Sequence, residues 1–218
     1  MKELFLRHKK TLIISTILCL LPIVFGVALW DQLPDPMPTH FGANGEPDGW
    51  SSKPLAVFGL PLFLAAMEWV CLFASAADPR RKNLSPKVLT LMLYLVPVIG
   101  LFACGATYAI ALGMDFSISL IMSLLIGVMF IVIGNYLPKC RQTYTLGIKL
   151  PWTLANEEIW NKTHRMAGPR WMIGGALQIV FAFFPGEFAV YAMTVIVAVA
   201  VGVPTVYSFL LANKQGQI

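Results

Sequence analysis

Long uncharged apolar runs, joined by connections whose basic residues sit almost entirely at alternate positions, constrain this chain more than any motif in it. The runs are Thr11–Trp30, Pro54–Ala77 (interrupted only by Glu68), Val88–Met114, Phe116–Pro138, Trp171–Gly186 and Phe188–Asn213. A hydrocarbon core about 30 Å thick is crossed by roughly 20 helical residues, so six spans is the economical reading. Of the 16 Lys and Arg residues, all but Lys53 fall on one side: Lys2, Arg7, Lys9 and Lys10, then Arg80, Arg81, Lys82 and Lys87, then Lys139, Arg141, Lys149, Lys162, Arg165 and Arg170, and finally Lys214. Basic connections stay on the cytoplasmic side. The expected fold class is therefore an all-α polytopic membrane protein with six transmembrane helices, N-in and C-in. One extracytoplasmic loop (31–53) and one helix-containing cytoplasmic loop (139–170) complete it. The fifth span is the weakest, because Trp171–Gly186 covers only about 24 Å as a helix. Arg170 and Glu187 at its ends have to snorkel, or the helix starts earlier.

With 57% hydrophobic and 12% charged residues in 218, little chain remains outside the spans. Residues 1–218 read as a single membrane domain, with 1–77 carrying the outer loop and 78–218 the inner one. The net charge of +5 is not a nucleic-acid signal, since its Lys and Arg sit beside membrane ends where topology places them. Lipid is the expected surrounding and no direct nucleic-acid partner is expected. The start MKELFLRHKK imitates a signal peptide, but no small-residue cleavage site follows Trp30, so the first run reads as a retained helix. Cys19, Cys71 and Cys104 lie in spans and Cys140 in the inner loop, without CxxC spacing, and His40 is separated by the bilayer from His8 and His164. No disulfide framework, metal site or cofactor is indicated.

Specific chemistry outside the bilayer is confined to the two longer connections. In the outer one, Pro34, Pro36 and Pro38 deny a helix and Gly42, Gly45 and Gly49 supply turns, which predicts a compact cap or short hairpin. Its His40, Phe41, Trp50 and Lys53 combine titratable, aromatic and basic groups near the headgroups, and they are the candidates for meeting an amphipathic peptide. Interfacial anchoring explains Trp50 equally well. In the inner one, Thr153 as cap, Glu157 and Glu158 near the positive end, Lys162, His164 and Arg165 near the negative end and Gly168 as terminator predict a helix over Leu154–Ala167. Glu157, Trp160 and His164 share one face of it, against membrane or bundle, with Trp160 as an interfacial anchor. Glu158, Lys162 and Arg165 form a solvated ion-pair row on another.

Chemistry inside the bilayer is sparser. Pro22, Pro61, Pro97 and Pro204 mark kinks, and the four-residue spacing of Gly105, Ala109 and Gly113, and of Ala198 and Gly202, predicts close backbone approach. Glu68 is the ionisable side chain inside a clearly defined span. It should face the bundle, either as an interhelical hydrogen bond or as the titrating group of a small proton-coupled transporter or exporter. HExxH, GxSxG, P-loop and dinucleotide patterns are missing, so a membrane enzyme would have to rely on Glu157 and His164. No enzyme is expected.

The inner segment GNYLPKCRQTYTLGIKLPWTLANEEIWNKTHRMAG resembles the signature of the SdpI family of bacterial immunity proteins. The resemblance rests on Gly134-Asn135, Gly147-Ile148-Lys149, Pro151-Trp152-Thr153-Leu154, Trp160 and Thr163-His164-Arg165. The outer segment LPDPMPTHFGANGEPDGWSSK resembles the domain of unknown function that accompanies that signature, through Pro38, His40, Phe41, Gly45, Pro47, Asp48, Gly49, Trp50 and Lys53. The resemblance implies a protein of the bacterial cytoplasmic membrane that protects its cell from a secreted membrane-active killing peptide. It also implies, less portably, a receptor that recruits a winged-helix repressor to the membrane when toxin is engaged. Asn135, Gly147, Lys149, Pro151, Trp152, Thr153, Glu157, Trp160, Thr163, His164 and Arg165 are then the candidates for the inner partner. Thr143 stands where many relatives have Asn, and Lys149 where many have Arg, whose planar fork Lys lacks.

Overall fold

The computed structural model describes residues 2–216. Among these residues seven α-helices follow one another: α1 (Lys2–Ala28), α2 (Leu60–Ala77), α3 (Pro86–Ala111), α4 (Ile118–Tyr136), α5 (Pro151–Ala155), α6 (Glu157–Phe181) and α7 (Gly186–Lys214). Between α1 and α2 the strands β1 (Met37–Phe41) and β2 (Pro47–Ser51) pair antiparallel. Five segments among the described residues are long and apolar enough to cross a membrane, Leu4–Ala28, Leu55–Ala77, Pro86–Ala111, Ile118–Lys139 and Gly186–Lys214. They coincide with five of the six expected spans.

The remaining span and the expected inner helix are corrected together. They are one helix, α6, running unbroken through Gly168 and Pro169. Its polar first half keeps it out of the set defined by length and hydropathy, and its 25 residues extend about 37 Å. Gly168 does not end the helix because its missing side chain serves a crossing: a Cβ there would lie 2.5 Å from Pro138 Cγ and 2.8 Å from the Gly134 carbonyl. The N-cap is Asn156, not Thr153, its side-chain oxygen accepting from the N–H groups of Glu158 (2.8 Å) and Ile159 (3.2 Å).

The chain divides into two compact units, Met1–Ala76 with Leu89–Met122, and Ala77–Val88 with Ser123–Ile218. The first unit packs two apolar clusters. Leu33, Met37, Val57, Cys104 and Tyr108 form one, and Leu12, Leu72, Leu89 and Leu93 the other. Gly26 closes on the first, since a Cβ would meet Val57 Cγ1 at 2.6 Å.

In the second unit, α4 and α6 cross through glycines seven residues apart. A Cβ on Gly127 would sit 2.8 Å from the Gly175 carbonyl, and one on Gly134 2.8 Å from the Gly168 carbonyl. Spacing of seven keeps both contacts on one face, as in helix pairs that meet through small residues. The four-residue stripes expected to do this do not: a Cβ at Gly105, Gly113 or Gly202 would meet nothing within 4 Å.

Candidate functional site

The inner signature folds as a compact knot held mostly by hydrogen bonds. Gly147 has φ +115°, a conformation that favours glycine, and a Cβ there would lie 2.6 Å from both the Trp160 ring and His164 Nε2. The signature's glycine is thereby explained by two demands, the backbone sign and the ring beneath it. Trp160 is fully buried, stacks on His164 with ring centres 4.1 Å apart, and donates its indole N–H to the Cys140 carbonyl at 2.8 Å. It is a core strut and not the interfacial anchor expected from sequence, because its N–H finds a protein partner.

His164 sits between two backbone groups that fix its tautomer. Nδ1 donates to the Trp160 carbonyl at 2.8 Å, and Nε2 accepts the Ile148 N–H at 2.9 Å. A second proton on Nε2 would displace that N–H. Burial pulls the imidazole below its ordinary value of 6.5, and the Trp160 carbonyl only partly offsets this. With the folded value depressed, the unfolded chain binds the proton first, so stability is complete above about pH 6.5 and falls as the pH drops below it. Thermal unfolding of detergent-solubilised protein is expected to lose midpoint from neutral toward mildly acidic pH. His164→Gln is expected to start lower and to lose the part of that slope His164 contributes; an equally steep slope in the variant would contradict the assignment.

Thr153 ties the next turn, accepting the Leu150 N–H at 2.9 Å and donating to the Ile148 carbonyl at 2.8 Å. Buried Gln142 donates to the carbonyls of Thr153 (2.7 Å) and Leu154 (3.0 Å). Thr143 donates to the Leu146 carbonyl at 2.9 Å and accepts its N–H at 3.2 Å, closing a local turn. Trp152 reaches α7, donating to Ser208 Oγ at 2.9 Å and meeting the Phe209 ring edge-on. Burial pushes the Cys140 thiol up to about 11, so little of it is thiolate at neutral pH.

Sequence reading missed Asp78. Its Oδ2 accepts the N–H groups of Tyr144 (2.8 Å) and Thr145 (3.0 Å) and the Thr145 hydroxyl (2.6 Å), while Oδ1 accepts the Arg80 N–H (2.7 Å). Burial alone would raise this carboxyl, but the Thr145 hydroxyl and the three backbone donors outweigh it and hold it below its ordinary value. Arg80 adds a hydrogen bond to the Leu154 carbonyl at 3.1 Å and lies 5.0 Å over the Tyr144 ring. The signal was an acid standing alone among the basic residues that follow α2.

The candidates therefore separate by exposure. Thr153, Trp160, Thr163 and His164 are buried and Gly147 and Trp152 are half-buried, so these hold the knot. Asn135, Lys149, Pro151, Glu157 and Arg165 are exposed. Lys149 donates to the Thr145 carbonyl at 3.2 Å, and Lys139 to the Asn135 side chain at 3.2 Å. The expected face of Glu157, Trp160 and His164 is split, with Glu157 in solvent and His164 hydrogen-bonded to Trp160 and Ile148. Of the expected ion-pair row, Glu158 and Lys162 pair at 2.6 Å, while Arg165 joins no ion pair among the described residues.

The outer segment is the hairpin expected from its prolines and glycines. Met37 and Leu33 anchor it in the first unit's core, and Lys53 donates to the Trp30 carbonyl at 3.0 Å and lies over the Trp30 ring. Gly45 turns the tip with φ +83°. His40 and Trp50 project outward, His40 paired to Asp48 and Trp50 58% exposed, while Phe41 is half-buried. A large exposed aromatic on a pinned hairpin is a ready contact for an apolar ligand. Lys53 is committed to holding the hairpin's base.

The family described as Domain of unknown function (DUF1648) matches residues 17–65, which include the hairpin, and the SdpI/YfhL protein family matches residues 139–208, which include the knot. The immunity protein SdpI of Bacillus subtilis (strain 168) is 28% identical over 207 residues, covering 93% of this chain and 96% of that relative. No solved structure matches. Apolar helices, a hairpin and the Gly147–Trp160–His164 knot occur in the order of these matches, and the chain is a multi-pass protein of the cytoplasmic membrane that is similar to the SdpI family over residues 139–208.

Proposed function

We propose that this protein is an immunity protein, guarding its cell against a secreted membrane-active peptide without covalent chemistry. The observation that carries this reading is the near end-to-end similarity to a relative named for immunity. In this reading the apolar half of α6 crosses the membrane as a sixth span, both termini stay inside with the basic connections, and the hairpin meets the exterior. Trp50 and His40 offer an amphipathic peptide an aromatic face and a polar contact, on a hairpin held by the buried Met37 end of β1 and by Lys53 at its base. The exposed Lys149, Glu157 and Arg165 offer a polar surface to a cytoplasmic partner, the winged-helix repressor that the family resemblance implies. Coupling between the two would require two arrangements of the protein with different affinities for each ligand.

Toxin-sensitive cells expressing a His40→Ala/Trp50→Ala double variant are expected to lose most of the protection given by the unaltered chain, at equal membrane abundance and unchanged melting behaviour. Full protection by that variant would remove the hairpin face from the mechanism.

A further inference from the structure

Two buried acids in this chain have opposite surroundings. Asp78 is surrounded by four donors, which suit a carboxylate. Glu68, within α2, is fully buried and has far less. Its Oε2 accepts the Thr16 hydroxyl at 3.0 Å and, weakly, the Cys19 thiol at 3.9 Å, whereas Oε1 is buried without a hydrogen-bond partner among the described residues. No Lys, Arg or His nitrogen pairs with it among the described residues. The groups facing it from α1 are Ser15, Thr16 and Cys19, and the Ser15 hydroxyl is already turned to the carbonyls of Thr11 and Leu12. The α3 face packed along α2 supplies Leu89, Leu93 and Gly100, none of them ionisable. Of the other buried titratable groups of this unit, Cys104 and Tyr108 lie in the cluster around Val57, and His8 lies two turns along α1 from Ser15, near Thr90.

An anion in that setting has one good donor and no counter-charge, so its desolvation is not offset. A hard metal cation asks for six or more oxygens, which one free carboxylate oxygen and two engaged hydroxyls do not supply. We propose that Glu68 is a proton-binding site within the membrane: a neutral carboxylic acid with Oε2 as the carbonyl oxygen facing Thr16 and Cys19, and the bound proton on Oε1. This assignment stands apart from the immunity reading and needs no toxin to test.

The test is infrared spectroscopy of the full-length protein in phospholipid vesicles at neutral pH, wild type against Glu68→Gln. The difference spectrum is expected to lose one protonated-carboxyl C=O band, which shifts to lower frequency in heavy water. Loss of a carboxylate band instead would overturn the proposal. So would conversion of the protonated band to a carboxylate band on adding sodium or potassium chloride, which would make the site one for a monovalent cation. Thr16→Val provides a reading if Glu68→Gln does not assemble: it keeps the acid but removes a donor to its carbonyl, so the band is expected to rise in frequency. A band that stays in place would belong to another residue and overturn the assignment.

Discussion

Gly147→Ala is expected to unfold the inner knot, at a cost of about 3 kcal/mol or more. Two penalties act at the same atom. The added Cβ must adopt the disfavoured φ of +115°, and it must enter space 2.6 Å from the Trp160 ring and from His164 Nε2. Neither neighbour can yield cheaply. Trp160 is held by its indole bond to the Cys140 carbonyl, and His164 by the Trp160 carbonyl and the Ile148 N–H. Displacing the ring would orphan those groups in a buried setting, where each unpaired group costs about 1–3 kcal/mol. The measurement is denaturant unfolding in detergent together with protease cleavage at Arg141 and Lys149, which should become fast in the variant and remain slow in the parent. Unaltered stability in Gly147→Ala would contradict the packing described for the knot.

Asp78→Ala is expected to loosen the same loop from its other end, by about 3 kcal/mol, since each donor left unpaired away from water costs about 1–3 kcal/mol and half-buried ones cost the least. The side chain gathers the N–H groups of Tyr144, Thr145 and Arg80 and the Thr145 hydroxyl, so truncation leaves four donors without their acceptor. Asp78→Asn is expected to lose less, since its remaining carbonyl oxygen still accepts part of the set. The acid has a pH signature as well. Because its folded value lies below the ordinary 3.8, its contribution is present above that value and is lost as the pH falls through the depressed one. Proteolysis of the 141–149 stretch and unfolding midpoints measure both effects. Equal stability of Asp78→Ala and the parent would show that the loop is held without this carboxylate.

The fold was legible wherever one-dimensional signals decide it. Apolar length placed four of the five spans to within a few residues, and set the start of the first at Thr11 where it already runs from Leu4, because a spanning helix must satisfy its backbone internally and little else competes. Proline and glycine density gave the hairpin. The inner half was harder, because its elements answer to partners far away in sequence. Gly168 looks like a terminator by local grammar, but its role is set by Gly134 and Pro138 on another element. Thr153 looks like a cap, yet its hydroxyl is used by Ile148 and Leu150. Glycines seven apart carry the α4–α6 crossing while the more familiar four-residue stripes do not. Of the signature residues, periodicity put Trp160 and His164 on one face, but nothing in it distinguishes a membrane anchor from a buried strut. That distinction comes from the Cys140 carbonyl waiting at 2.8 Å.

The immunity reading is tested most directly by killing itself: a toxin-sensitive strain carrying this chain or an empty vector, challenged from outside with the membrane-active peptide secreted by the cell of origin. The account predicts markedly higher survival with the chain present. Equal killing, with the protein verified in the membrane, would contradict it.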